Sequence, residues 1–116
     1  MTDPAESFSA RVVRLDSGEV VVLTGELDMA SAPELTKVLR PLVANGPREV
    51  VFDLSDLDFV DSSGIAALIA VQNQLRQQER HLCIRGAQPS AVRIFEIAGL
   101  LDFLNVRTEA FETGSA

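Results

Sequence analysis

The chain has 116 residues, 47% of them hydrophobic, which is enough for one domain with a single core that needs neither disulfides nor a structural metal. Its 17 acidic side chains outnumber the 10 basic ones, and the formal net charge of -7 argues against binding to DNA, RNA or anionic lipid. Residues 65–71, the longest apolar run, are too few to cross a bilayer, and the first residues lack the features of a signal peptide, so we expect a cytoplasmic protein that binds no membrane.

The first half of the chain predicts a hairpin followed by a helix. Two β-rich runs, 9–15 and 19–24, flank a turn signal and predict an antiparallel pair. Apolar residues then recur at helical spacing from position 35, after a capping-box pattern formed by Ser31 and Glu34. Pro41 conflicts with this helix, because an interior proline removes a backbone hydrogen bond at a cost of ~3 kcal/mol. We therefore expect a kink, or an early end before residues 45–47.

The second half predicts alternating strands and helices. Residues 49–54 indicate a buried strand, which a polar connection anchored by Leu57 and Phe59 joins to a helix that reaches about residue 80. A parallel strand at 81–85, a short helix from residue 89 to a glycine at 99, and a final strand near 103–106 complete the pattern. The apolar residues predicted to face inward from the short helix are Val92, Ile94, Phe95 and Ile97.

These elements predict an α/β fold. We expect one domain over residues 8–108, a mixed sheet of four to five strands with the N-terminal antiparallel hairpin at one end, and helices packed against it. Residues 1–7 and 109–116 are polar, bury little and are predicted to be flexible tails.

The residue types that most often carry chemistry are sparse. Cys83 is the only cysteine and lies in a predicted buried strand, so we interpret it as an inert core thiol. His81, the only histidine, is predicted to start that strand. Without a nucleophile and base pair, the sequence favours a protein that is not an enzyme.

Cofactor and metal binding are not predicted either. There is no glycine-rich phosphate loop, so no nucleotide cofactor is expected. Four carboxylates lack the spacing and glycine of a calcium loop, and we interpret them as a solvated acidic turn rather than a metal site. They are Asp53, Asp56, Asp58 and Asp61.

The most informative segment is Asp61-Ser62-Ser63-Gly64, between a predicted strand and a predicted helix. One interpretation is a helix cap, because serine and aspartate are the preferred N-cap residues. The other is a regulatory hydroxyl, because unpaired N–H groups and the helix dipole at an N-terminus tolerate a phosphate. The two interpretations are compatible, since one residue can cap while its neighbour faces solvent.

A second strand-to-helix turn, over residues 23–28, is predicted to lie beside this segment. Turns that leave parallel strands at the same end meet at one edge of the sheet. Acid, hydroxyl and glycine would then form a composite surface, which suits docking of a partner better than catalysis.

Three segments together resemble the bacterial anti-sigma factor antagonists of the STAS domain family: 23–28 (LTGELD), 59–64 (FVDSSG) and 91–100 (AVRIFEIAGL). The similarity runs from about residue 9 to 106. It implies a protein that binds an anti-sigma factor, itself a serine kinase that supplies the ATP site, and so frees a sigma factor. It further implies that this kinase phosphorylates Ser62 and ends the binding, and that a serine phosphatase resets the cycle.

The same resemblance implies a partner-binding surface formed by Asp28, Asp61, Ser62, Ser63 and Gly64, with Gly64 allowing close approach. Met29 and Pro41 depart from the family pattern and concern the first helix, where they could alter which partner docks. The alternative is a STAS adaptor that is not phosphorylated and serves in a stress-signalling or transport complex.

Overall fold

The N-terminal hairpin is present and is longer than predicted. In the computed structural model, which describes residues 8–16 and 18–107, β1 (Phe8–Leu15) pairs antiparallel with β2 (Gly18–Leu27). The pairing runs from Phe8 opposite Gly25 to Leu15 opposite Gly18. Every residue of β1 is therefore paired on one side.

The rest of the described chain alternates helices and strands, as predicted. The elements that follow β2 are α1 (Ala32–Ala44), β3 (Glu49–Val60), α2 (Ser62–Arg76), β4 (His81–Arg85) and α3 (Pro89–Ile97). Strands β2, β3 and β4 are parallel to one another, and the sheet order is β1-β2-β3-β4. The predicted α/β class and mixed sheet with an antiparallel hairpin are confirmed, with four strands.

Residues 55–60 are strand, and the prediction of a polar connection there is wrong. They continue β3 and pair with β2, with Gly25 opposite Leu57 and Glu26 opposite Phe59. Two register shifts interrupt this pairing, so buried residues fall at every third position, 54, 57 and 60. That spacing conceals the period of two by which a strand is recognised. Leu57 is buried as predicted, whereas Phe59 is 49% exposed.

Helix α1 continues past Pro41 and ends at Ala44. The N–H of Asn45 donates to the Pro41 carbonyl (2.9 Å), immediately before the predicted stop at 45–47. Proline leaves the Lys37 carbonyl without its helical donor, but both residues are exposed, so water can hydrate that carbonyl. The proline is therefore tolerated inside the helix.

The predicted fifth strand is absent from the described residues. Residues 101–105 form turns, and only Val106 makes a β-bridge, with Ile84. The outer edge of β4 is instead closed by hydrogen bonds from Ile84 N–H to the Asn105 carbonyl (3.1 Å) and from the Asn105 side-chain amide to the Leu82 carbonyl (2.8 Å). The side-chain carbonyl of Gln72, in α2, also accepts a hydrogen bond from the Leu82 N–H of β4. Helix α2 ends at Arg76 rather than near residue 80 as predicted.

The core lies between the sheet and the helices, and its largest fully buried side chains include Phe52 and Phe95. In α3, Phe95 is buried and Val92 and Ile94 are half-buried, but Ile97 is 74% exposed. The inward prediction for Ile97 is wrong because this residue follows the buried Phe95 by two positions, which places it on the opposite face of α3. None of the helices in the described ranges is long and apolar enough to span a bilayer.

Replacing Gln72 with Met should lower the free energy of unfolding by about 2–4 kcal/mol, because it leaves buried backbone groups without partners. Gln72 is fully buried; its Oε1 accepts from the Leu82 N–H (2.8 Å) and its Nε2 donates to the Phe103 carbonyl (2.7 Å). Urea unfolding measures the change. The matched control is Gln74→Met on the exposed side of the same helix, expected within about 0.5 kcal/mol of wild type. Equal effects at both positions would contradict this role of Gln72.

Candidate functional site

The two strand-to-helix turns meet at one edge of the sheet, as predicted. Leu27 ends β2 opposite Val60, which ends β3, and the Asp61 N–H donates to the Leu27 carbonyl (3.1 Å). The loop that enters α1 and the residues that open α2 are therefore held together by a backbone hydrogen bond.

Asp61 is the N-cap of α2. Its extended backbone lets Oδ1 accept from the Gly64 N–H (3.0 Å), while its own carbonyl accepts from the Ile65 N–H (2.9 Å). The capping interpretation is confirmed and falls on Asp61. Ser62 is the first residue of the helix and is exposed, and Ser63 is half-buried. The cap thus leaves the Ser62 side chain at the surface beside a carboxylate.

Gly64 is buried where α2 crosses the ends of β2 and β3. A Cβ atom at this position would lie 2.7 Å from the Leu27 carbonyl oxygen and 2.8 Å from both Leu27 Cγ and Val60 Cγ2. Real Cβ atoms do not approach other atoms so closely, so glycine is what lets the helix start here. Gly64 therefore permits a close approach between α2 and the ends of β2 and β3, within the chain itself.

Asp28 and Ser31 fix the loop that leads from β2 to α1. Asp28 is half-buried, and its Oδ1 accepts from the N–H groups of Ala30 (3.0 Å) and Ser31 (3.1 Å). The Ser31 hydroxyl accepts from the Asp28 N–H and donates to the Glu26 carbonyl, both at 2.8 Å. Ser31 makes no side-chain cap hydrogen bond to α1, so the capping-box prediction is wrong: its hydroxyl is used within the loop. The three-residue spacing of Asp28 and Ser31 is the sequence signal for this turn.

Two exposed apolar residues lie at this edge: Met29, whose possible effect on partner docking was predicted but which lies in the turn before α1 rather than in the helix, and Phe59, which was not predicted as a site residue. Met29 is 75% exposed, and Phe59 is 49% exposed. Met29 follows Leu27 by two residues, and Phe59 precedes Asp61 by two, so both flank the hydrogen bond that joins the turns.

The four carboxylates lie along β3 and at its end rather than in a solvated turn, which corrects that prediction. Asp53 accepts from both the N–H (3.0 Å) and the hydroxyl (2.6 Å) of Ser55, and Asp56 and Asp58 are exposed. Within the ranges 8–16 and 18–107, no three His, Cys, Asp or Glu side chains are grouped so that they could hold a metal ion.

His81 and Cys83 lie away from the two turns. His81 starts β4 as predicted, with its Nε2 3.0 Å from Glu49 Oε2, at the opposite end of β3 from Val60. Cys83 is buried as predicted. Burial raises the pKa of its thiol, so the protonated, unreactive form is favoured.

Comparison with known proteins decides the family, because a family model for the STAS domain matches residues 10–112. The chain belongs to the STAS domain family. It is 35% identical over 86 residues to the anti-sigma-B factor antagonist of Staphylococcus aureus, an alignment that covers 74% of this chain and 80% of that protein. The recognition made from the three sequence motifs is thereby confirmed.

Two solved structures share this fold. A crystal structure of an anti-sigma factor antagonist from Mycobacterium paratuberculosis superposes with a TM-score of 0.81 at 28% identity, covering 94% of this chain and 92% of that one. The phosphorylated form of the Bacillus cell fate determinant SpoIIAA gives a TM-score of 0.64 at 19% identity, covering 87% and 93%. At 19% identity, the similarity to SpoIIAA shows a shared fold only.

In this STAS domain, Gly64→Ala should lower the free energy of unfolding by about 1–3 kcal/mol, because the added methyl group overpacks the junction of α2 with Leu27 and Val60. Urea unfolding is the measurement, and Ala66→Ser, on an exposed position of α2, is the control for adding one heavy atom to the helix. Alanine favours a helix over glycine by ~1 kcal/mol, so a variant more stable than wild type would show that the junction is not tight.

Proposed function

We propose that this STAS domain is an anti-sigma factor antagonist that is not an enzyme: unphosphorylated, it binds an anti-sigma factor that is itself a serine kinase, and so releases a sigma factor. Phosphorylation of Ser62 ends the binding. The observation that carries the proposal is the exposed Ser62 at the first position of α2, next to the Asp61 cap. The names of the Staphylococcus aureus and Mycobacterium paratuberculosis relatives support it.

Ser62 is a better acceptor than Ser63 on grounds of access. A kinase must bring the terminal phosphate of ATP in line with the attacking hydroxyl, which requires that hydroxyl to enter the partner's active site. Ser62 is exposed, whereas Ser63 is half-buried one position further into the helix. The Asp61 cap fixes the start of α2, so Ser62 would be presented from a rigid element rather than from a loop.

The phosphate would disrupt the complex by charge and by size. It adds roughly -1.5 to -2 charges at pH 7, beside the Asp61 carboxylate. Because the kinase supplies the phosphate from ATP, the phosphates of its own nucleotide lie opposite Ser62, and a phosphorylated Ser62 would face them. A loss of ~3 to 4 kcal/mol of binding free energy would raise the dissociation constant several-hundred-fold.

Under this proposal the other predicted site residues divide into two roles. Asp28, Asp61 and Ser63 belong to the partner footprint around Ser62, and the two carboxylates also fix their turns through backbone N–H groups. Gly64 contributes by setting where α2 begins. The domain needs no cofactor of its own, since the kinase brings ATP and a serine phosphatase removes the phosphate in the cytoplasm.

Ser62→Asp should weaken binding by at least about ten-fold, because it introduces part of the phosphate charge at an exposed position. Ser62→Ala should bind like wild type and accept no phosphate. The measurement is calorimetric titration against each purified anti-sigma factor of the histidine-kinase-like ATPase type encoded in the same genome, followed by incubation with ATP. Ser63→Ala is the control for the acceptor position and should still be phosphorylated.

Each of the contrary outcomes has a distinct meaning. Unchanged affinity of Ser62→Asp would contradict the switch. Loss of phosphate uptake in Ser63→Ala, with uptake retained in Ser62→Ala, would move the acceptor to Ser63. Binding by wild type without any phosphate transfer would favour the STAS adaptor that is not phosphorylated.

A further inference from the structure

The edge of the sheet that carries Ser62 also exposes two large apolar side chains. Met29 and Phe59, 75% and 49% exposed, each lie within two residues of the hydrogen bond between Asp61 and Leu27. A patch of exposed apolar side chains on a soluble domain commonly marks an interaction surface. Met and Phe are both enriched at protein interfaces.

The backbone holds both residues in fixed positions. The turn that contains Met29 is closed by the hydrogen bonds from the N–H groups of Ala30 and Ser31 to the Asp28 carboxylate. Phe59 lies in the paired part of β3, opposite Glu26, after the second register shift. Backbone that is already ordered loses little conformational entropy when a partner binds, so only the freedom of the two side chains is lost.

The two chain segments that carry these anchors are acidic. Residues 24–36 and 54–75 contain acidic side chains and no Lys, Arg or His, and the nearest basic residues along the chain, Lys37 and Arg76, directly follow them. The six acidic residues are Glu26, Asp28, Glu34, Asp56, Asp58 and Asp61. A surface that covers Met29 and Phe59 must therefore be apolar at its centre and basic around it, since like charges facing each other across an interface oppose association.

We infer that Met29 and Phe59 are the apolar anchors by which this chain docks on its anti-sigma factor kinase, and that the facing surface of that kinase is an apolar recess bordered by Lys and Arg. This inference rests on the proposed function. Ser62 follows Asp61 directly, so seating of the two anchors brings its hydroxyl to the partner.

Met29→Gln and Phe59→Thr, titrated calorimetrically against the same purified kinases, should each raise the dissociation constant by at least about ten-fold. Two controls match them in exposure: Ile97→Gln, at a position 74% exposed at the end of α3, for Met29, and Val12→Thr, at a position 41% exposed in β1, for Phe59. Both controls should stay within about two-fold of wild type. Raising the salt concentration from about 0.05 M to about 0.5 M should weaken binding of the wild type.

The outcomes separate this surface from the proposed function. If wild type binds a kinase and both anchor variants bind equally well, the anchors are wrong and the antagonist proposal stands. Equal losses of affinity in the control variants would also contradict the assignment of Met29 and Phe59 as anchors. A wild-type affinity that does not change with salt would contradict the proposed Lys and Arg border on the kinase. A wild type that binds none of the kinases would overturn the proposed function, and the docking surface with it.

Discussion

Helix α2 starts so close to the ends of β2 and β3 that position 64 has room for glycine only, and the site depends on this contact. A Cβ atom there would lie 2.7 Å from the Leu27 carbonyl oxygen, the same oxygen that accepts the Asp61 N–H. Backbone packing and a backbone hydrogen bond therefore act together at one point. Asp61 then caps the helix, and Ser62 is left at the surface on an element that cannot shift without breaking both interactions.

Part of this site could be predicted from the sequence. The order of strand, acid, hydroxyl and glycine indicated a helix start at residues 61–64, and parallel strands implied that the two turns would meet. The use of Ser31 in its loop could not be separated from a capping box, because both place serine three positions from a carboxylate. The exposure of Met29 and Phe59 depends on tertiary packing, which a hydropathy pattern does not report.

The fold, too, could be predicted only in part from the sequence. The hairpin, the alternation of helices with parallel strands and the buried position of Cys83 follow from local patterns, and all are present. The second half of β3 was missed because register shifts change its burial period, and a fifth strand was predicted where turns and the side chain of Gln72 close the edge of β4. In both places long-range pairing, rather than local preference, decides the structure.

The central claim is that Ser62 is the residue whose modification changes the state of the protein. Mapping phosphate by mass spectrometry on the protein recovered from its native cells, before and after adding ATP to the lysate, tests that claim most directly. We expect phosphate on the peptide that contains Ser62, confined to that residue and increased by ATP. Phosphate on Ser63 instead, or a Ser62 that stays unmodified under every condition, would contradict it.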